Sequence, residues 1–540
     1  MCSPSQIRLL LLLLFFSSST HLFSTSNAAL NPPLHPDTQH DIVCKSTPFP
    51  ESCLESSKLS ISINISPTIL GFALRSLDGA LSEAGKLWGL LPVDPALVEH
   101  QKGAVQDCRE LHQITVSSLT KSDNLLRSSK QTRLSDVKSY LSAALTNKNT
   151  CMEGLDSASG PSKPILVGAI LSLYKHVTNA LSIVSSGGNQ QGRRLGAASA
   201  ATSGFPAWLS RRDRRLLQMG DVNDYDPSLV MTVAADGTGN FTLINDAIGF
   251  APNNSEDRTI IIVREGVYDE YVDVPPYKTN IVILGEGKDV TLIRGNRSVG
   301  DGWTTFRSAT VAVSGEGFLM RDVTISNTAG PAKSQAVALR VNADLTAVFQ
   351  CTIIGYQDTL YVHSFRQFYR ECNIFGTVDF IFGNAAAVFQ GCNIIAQKPM
   401  PGQFIAVTAQ SRDDPYEVTG ISIQNCSVLP TDELGSGGGS TKSYLGRPWR
   451  EYSRTVYIES YIGDFVDPKG WTQWSGNQGL DTLYYGEYNN YGPGSGTDNR
   501  VDWPGYHVME YEDAFNFTVS EFIAGDEWLQ STSFPYDNGV

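Results

Sequence analysis

The amino-acid sequence predicts two folds in one chain: an all-α four-helix bundle over residues 41–187, then an all-β, right-handed parallel β-helix over 218–540. Three observations carry this reading. Apolar residues recur at helical spacing in the first half. Short β-branched runs between turn residues replace them in the second, and that second half repeats itself.

In "TILGFALRSLDGALSEAG", Ile69, Phe72, Ala73, Leu77, Ala80 and Ala84 share one helical face. "RLSDVKSYLSAAL" and "PILVGAILSLYKHVTNAL" repeat the pattern, with the turn-rich "SASGPSKP" between them. About four long helices with short links suit an up-and-down bundle. No His, Asp or Glu cluster in this half has metal-ligand spacing, so a structural or binding role is expected of it.

The second half offers "TIIIV", "NIVILG" and "VTLI", separated by Gly, Asn and Asp turns. Four segments align, "VTISN" from Val323, "CTIIG" from Cys351, "CNIFG" from Cys372 and "CNIIA" from Cys392, with "CSVLP" from Cys426 a weaker fifth. Their starts lie 28, 21, 20 and 34 residues apart. Irregular coils of about twenty residues, each with a short apolar strand, predict a parallel β-helix. A β-sandwich, which would show more hairpin turns and polar–apolar alternation, is the alternative.

Arg8 precedes the apolar run Leu9–Phe16, and a Ser/Thr-rich stretch ends in "SNAA". That order reads as a signal peptide over 1–28. The run is far short of the ~20 residues that span a bilayer, so a secreted, soluble protein is expected. Secretion makes the cysteines beyond Cys2 candidates for disulfides, and N-x-S/T acceptors stand at Asn64, Asn240, Asn253, Asn296, Asn425 and Asn516. Residues 188–217 form a basic linker rich in small residues, with dibasic sites at Arg193–Arg194 and Arg214–Arg215 where a processing protease would cut. A merely solvated linker is the other reading. Residues 218–540 hold 20 Lys and Arg against 40 Asp and Glu, a net charge of −20, whereas the whole chain stands at −14. The first 217 residues are therefore positive, and opposite charge is expected to favour docking of the two halves.

Asp358 and Asp379 each fall seven residues after an aligned cysteine, Cys351 and Cys372. On adjacent coils their carboxylates would sit ~4.8 Å apart. Two such groups cannot easily both ionise, so one pKa rises while the other stays low, which supplies an acid beside a nucleophile. The same spacing suits a retaining glycosidase. Gln357 beside Asp358, and Gln335 about one coil back, tilt the choice: neutral amide donors suit an oxyanion formed in acyl transfer. No G-x-S-x-G serine motif occurs.

"GYQDTLY", "GTVDFIFGNA", "QAVALR", "YLGRPW" and "GVYDE" resemble the signature motifs of plant pectin methylesterases, from about residue 228 to 530. The four cysteines of the first half and "DVKSYLSAALTNKNTC" resemble the pectin methylesterase inhibitor domain found as a pro-region in many of these enzymes. The resemblance implies that Asp379 attacks the methyl ester of a galacturonate, and that Asp358 protonates the departing methanol and then activates water. It implies that Gln335 and Gln357 hold the oxyanion, and that Arg447 keeps Asp379 ionised and oriented. Trp449 would line the sugar cleft, with Thr305, Phe382 and Trp471 beside it. It further implies disulfides Cys44–Cys53 and Cys108–Cys151, and a pro-region freed by cleavage after Arg214–Arg215, leaving a chain that starts near Gln218. Among the β-helix cysteines, which share one register, Cys372–Cys392 is the preferred bond, and Cys351–Cys372 with Cys392–Cys426 the alternative. Ser334 departs from the family, standing where a His often precedes "QAVAL".

The expected partners are methyl-esterified homogalacturonan (pectin) in the plant cell wall, the chain's own pro-region and separate inhibitor proteins. No metal, cofactor, nucleic acid or membrane partner is expected, and the chain is expected to be a monomer. A polygalacturonase would want N-T-D and G-H-G segments, which are missing. A non-enzymatic inhibitor or wall-binding protein, carried by the helical half, is the rival of another class.

Overall fold

The computed structural model describes residues 42–58, 69–91, 98–128, 133–187, 230–435 and 441–540. The expected signal peptide, Asn64 and the dibasic pairs Arg193–Arg194 and Arg214–Arg215 lie outside the described residues.

The first half folds as helices α1 (Pro50–Lys58), α2 (Ile69–Leu90), α3 (Ala104–Arg127), α4 (Leu134–Asp156) and α5 (Lys163–Gly187). α2 packs on α5, and α3 on α4, which in turn touches α5. The apolar stripe of α2 is what it buries: Phe72, Ala73, Leu77, Ala80, Ala84 and Leu87 face the core, while Ile69 at its first turn stays exposed. Cys44–Cys53 ties the chain before α1 to that helix, and Cys108–Cys151 ties α3 to α4. Asn179 of α5 exchanges two hydrogen bonds with the Phe49 backbone, accepting from its N–H at 2.9 Å and donating to its carbonyl at 2.7 Å.

From Val230 the strands stack coil upon coil into three sheets of eleven, eight and seven parallel strands. In-register pairing turns the sequence repeats into columns. Ile325, Ile353, Ile374, Ile394 and Val428 follow one another across the eight-stranded sheet, all fully buried. Each is worth about 1.5–3 kcal/mol of transfer from water. Between the eleven- and eight-stranded sheets the chain turns through one left-handed residue per coil, including Gln350, Glu371, Gly391, Asn425 and Glu459. The residue after each corner points inward: Cys351, Cys372, Cys392, Cys426 and then Ser460.

These four cysteines are free thiols, which overturns the expected Cys372–Cys392 bond and its alternative pairs. Stacking in register keeps neighbouring side chains parallel and ~4.8 Å apart. A disulfide needs Cβ atoms ~3.8 Å apart and turned toward each other. Instead, the N–H of Cys372 points at Cys392 Sγ (3.4 Å), and that of Cys392 at Cys426 Sγ (3.3 Å).

The outer faces of the sheets decide where a site can form. The C-terminal segment, through Val519, Ile523, Trp528 and Leu529, covers the eleven-stranded sheet. On the seven-stranded sheet, Arg340, Tyr361, Phe382 and Ala409 form one outward column. The helical bundle packs here, and its apolar core continues through Phe306, Val337, Tyr361 and Phe382.

Denaturation without reduction should therefore expose four alkylatable thiols in protein lacking residues 1–28. Peptide mapping should place them at Cys351, Cys372, Cys392 and Cys426, and recovery of a Cys372–Cys392 cross-linked peptide would contradict the stacked arrangement.

Candidate active site

Asp358 and Asp379 occupy equivalent turns on adjacent coils, two residues before the register pair Leu360–Ile381. The Asp358 N–H donates to the Val378 carbonyl at 3.1 Å, which locks the two turns together. Both aspartates are left-handed, with φ of 62° and 51°, a conformation costing about 1–2 kcal/mol away from Gly but which Asp adopts more readily than most. The glycine three residues before each aspartate makes the turn possible. A Cβ on Gly376 would lie 2.1 Å from Phe380 Cβ, and one on Gly355 would lie 2.8 Å from Thr359 Oγ1. The turn thus aims both carboxylates into the cleft rather than into the core.

Arg447, just beyond the strand Ser443–Gly446, grips Asp379 with a forked pair of hydrogen bonds, Nε to Oδ1 at 2.8 Å and Nη2 to Oδ2 at 2.6 Å. Burial pushes both aspartates up from the ordinary carboxylate range. At Asp379 the Arg447 guanidinium opposes that push. At Asp358 the Asp379 charge adds to it and carries the group well above the usual value. One proton shared by the pair therefore rests on Asp358, leaving Asp379 anionic.

These groups open into a cavity of about 370 Å³ that brings together Thr305, Gln335, Gln357, Asp358, Asp379, Phe382, Arg447 and Trp449. Aromatic rings form one wall: Phe382 stacks on Tyr361 with centroids 4.2 Å apart, and Trp449 pairs with Trp474 at 6.3 Å. Trp474 also backs the guanidinium of Arg447, 4.1 Å from its ring. Trp471 is not part of this wall. It is buried in the β-helix core, stacked on Tyr485 and donating from Nε1 to Glu487 at 3.2 Å. Of the two tryptophans in "WTQW", the second reaches the cleft and the first fills the core. Tyr361 was available from the repeat alignment, since it falls on the same position as Phe382.

The bundle supplies the remaining wall. Gln101, Asp107, Thr150, Glu153 and Gly154 line the same cavity. Thr150 Oγ1 lies 2.9 Å from His363 Nε2, Glu153 accepts from Arg450, and Thr146 accepts from Asn384 at 2.9 Å. None of these contacts was legible before the fold was known, because they join residues 213 to 297 positions apart.

A family model described as Pectinesterase matches residues 230–526, and one described as Plant invertase/pectin methylesterase inhibitor matches residues 38–183. The chain belongs to the pectinesterase family. It is 59% identical to "Probable pectinesterase/pectinesterase inhibitor 12" of Arabidopsis thaliana over 98% of each chain. It is 46% identical to "Pectinesterase/pectinesterase inhibitor PPE8B" of Prunus persica over 80% of this chain and 82% of that one. Among solved structures, pectin methylesterase from carrot matches with a TM-score of 0.57 and 52% identity. That match covers 57% of this chain and 98% of the carrot chain, so the pectinesterase β-helix is there complete without a bundle.

The walled cleft has a pH dependence with a definite sign. Asp107 of the bundle is buried against Arg307 and Thr304, and burial pushes its pKa up from 3.8 to about 6 despite the guanidinium. Docked Asp107 thus holds a proton that the free carboxyl would lose, so its contribution to docking is whole below about 3.8 and is lost as pH rises through about 6. Burial raises Glu153 in the same sense. Glu110 acts the other way: burial would raise it, but Arg340 and Arg307 outweigh burial and lower it. With the linker cut, affinity between the halves should fall as pH is taken from about 4 to about 6. Titration calorimetry would show this, and an affinity that rose over the same interval would contradict it.

Proposed function

We propose that this pectinesterase hydrolyses the methyl esters of galacturonate units in cell-wall pectin, releasing methanol, with Asp379 as nucleophile and Asp358 as acid and base. The observation that carries the assignment is the forked Arg447–Asp379 contact beside a more strongly raised Asp358, with two amide side chains lining the same cavity. Asp379 attacks the ester carbonyl carbon, and the charge that develops on oxygen is held by Gln335 and Gln357. Asp358 gives its proton to the methoxy oxygen, methanol departs, and an anhydride of Asp379 remains. Asp358, now a carboxylate, takes a proton from water as the water attacks the anhydride, which restores both aspartates. Phe382, Trp449 and Thr305 position the sugar. A glycosidase would gain little from neutral amides, because its transition state is cationic at the sugar carbon.

The bundle over residues 41–187 acts as a pro-domain in this reading, since a polymer cannot enter a cleft walled by α3 and α4. Cutting at Arg214–Arg215, or at Arg193–Arg194, frees the β-helix. The signal-like segment supports secretion to the wall, and so do five acceptors that are exposed here, Asn240, Asn253, Asn296, Asn425 and Asn516. Separate inhibitor proteins, sharing the bundle fold, would use the same face.

Asp379→Asn should abolish methanol release while the β-helix stays folded. Asp358→Asn should nearly do so, and Gln357→Ala should lower the rate about 10²- to 10³-fold. The assay is methanol release from methyl-esterified pectin together with chain length of the product. Full activity in Asp379→Asn, or chain scission by the wild type, would reject the mechanism. Replacing Arg193, Arg194, Arg214 and Arg215 should leave the uncut form in cells, and secretion of an uncut, fully active protein would count against the pro-domain role.

A further inference from the structure

Besides Asp379, the guanidinium of Arg447 has two neighbours that carry no charge. It lies 4.1 Å from the centre of the Trp474 ring and 5.1 Å from the centre of the Phe404 ring, both inside the ~6 Å at which an aromatic face attracts a cation. Trp474 lines the cavity of the reacting pair, whereas Phe404 is not among the residues that line it. The backbone brings Phe404 there. It follows a turn in which the Gln403 N–H donates to the Met400 carbonyl at 3.0 Å and the Met400 N–H donates to Gln403 Oε1 at 3.1 Å. The strand Ile405–Gln410 starts directly after it and pairs with Ser443–Gly446, setting Ala406 beside Tyr444. The Phe404 ring meets the Tyr444 ring edge-on, with centroids 6.0 Å apart. Arg447 is the next residue after that second strand. One coil thus supports the arginine of the next from outside the cleft.

A guanidinium that reaches toward water divides its N–H groups between the solvent and its carboxylate. Ring faces attract the cation while offering no strong acceptor in place of Asp379, so they favour the fork over looser geometries. Water is already largely excluded here, since the Arg447 side chain is 17% exposed and that of Asp379 6%, and a charge contact so placed is strong. The ionisable groups that face the aspartates are Arg447, Tyr361 and Tyr485 from the β-helix and Glu153 from the bundle. Among the described residues, Arg447 is the one cation that acts on either aspartate. A loosened Arg447 is therefore felt first at Asp379.

We propose that Phe404 is a positioning residue for ester cleavage: with Trp474 it holds the Arg447 guanidinium in the orientation that forks onto Asp379. This rests on the mechanism proposed above and adds to it a residue outside the substrate cavity. Two consequences separate this role from simple packing on Tyr444. Because Phe404 does not line the cleft, loss of its ring lowers kcat and leaves KM alone. Because Arg447 keeps Asp379 ionised, loss of the ring also lets the lower of the pair's two apparent pKa values rise. Activity then disappears at a higher pH on the acid side of the profile.

The test uses the β-helix half, which has a continuous core of its own and corresponds to the carrot enzyme solved without a bundle. Methanol release from methyl-esterified pectin is followed across pH, at several pectin concentrations. Phe404→Leu keeps an apolar side chain against Tyr444 and removes the ring. It should lower kcat about three- to thirtyfold, the weight of one cation–π contact, with KM unchanged. Its acid limb should move up by about half a pH unit to one unit. Phe404→Met is a second ring-free variant and should behave alike, with thermal unfolding showing which of the two is folded. Phe404→Tyr, which keeps the ring, should retain the wild-type rate and profile. A wild-type rate and acid limb in a folded ring-free variant, a change confined to KM, or an equal loss in Phe404→Tyr would overturn the proposal. Absence of methanol release from the wild type would instead remove the esterase reading, and the role of Phe404 with it.

Discussion

Parallel, in-register hydrogen bonding between coils is the constraint on which the rest of this molecule depends. It fixes a rise of ~4.8 Å and no lateral shift, so a residue repeated in sequence becomes a neighbour in space. The core column of Ile325, Ile353, Ile374 and Ile394 follows from it, and so does the pair Asp358–Asp379. The same rule that stabilises the apolar column destabilises the carboxylate pair. Arg447 resolves that conflict by satisfying one aspartate and leaving the other to keep a proton. The two aspartates of this site differ in which neighbour each one has.

The repeat alignment made the coil architecture and the aspartate pair legible, because a parallel β-helix writes its geometry into the sequence at a nearly fixed period. Arg447, Phe382 and Trp449 were legible only through motif resemblance, since nothing in their spacing shows that they meet Asp379. Legibility stopped where a decision depended on side-chain direction. Trp471 and Trp474 are three residues apart, and the sequence does not say which one turns inward. Cys372 and Cys392 share a register, yet a shared register leaves their side chains parallel, the geometry that prevents a disulfide. Adjacency in the stack was inferred correctly, and orientation was not.

Net charge misled in a more instructive way. The halves carry opposite totals, which suggested a positive bundle docking on a negative β-helix. The surplus of the first half sits mainly in its linker, because residues 41–187 hold 14 basic against 13 acidic side chains. Where the halves meet the polarity is largely reversed: Asp107, Glu110, Asp136 and Glu153 of the bundle meet Arg307, Arg340, Arg366 and Arg450 of the β-helix. Among the described residues, only the pairs Lys121–Glu316 and Arg133–Glu527 follow the totals.

That reversal separates two roles for charge in one acidic protein. Long-range attraction depends on totals and is screened within ~8 Å at physiological salt, so it governs encounter more than hold. The contacts of Arg307, Arg340 and Arg366 with the bundle are largely buried, hence weakly screened, and each of these guanidiniums loses its bundle partner if the bundle departs. Asp344 continues to hold Arg366 within the β-helix after such a departure, through Nη2 at 2.7 Å, whereas Arg340 keeps no ion pair among the described residues. The basic side chains of the β-helix are therefore not equivalent: Arg366 keeps a carboxylate of its own half, Arg447 keeps Asp379, and Arg340 depends on the bundle for its ion pair.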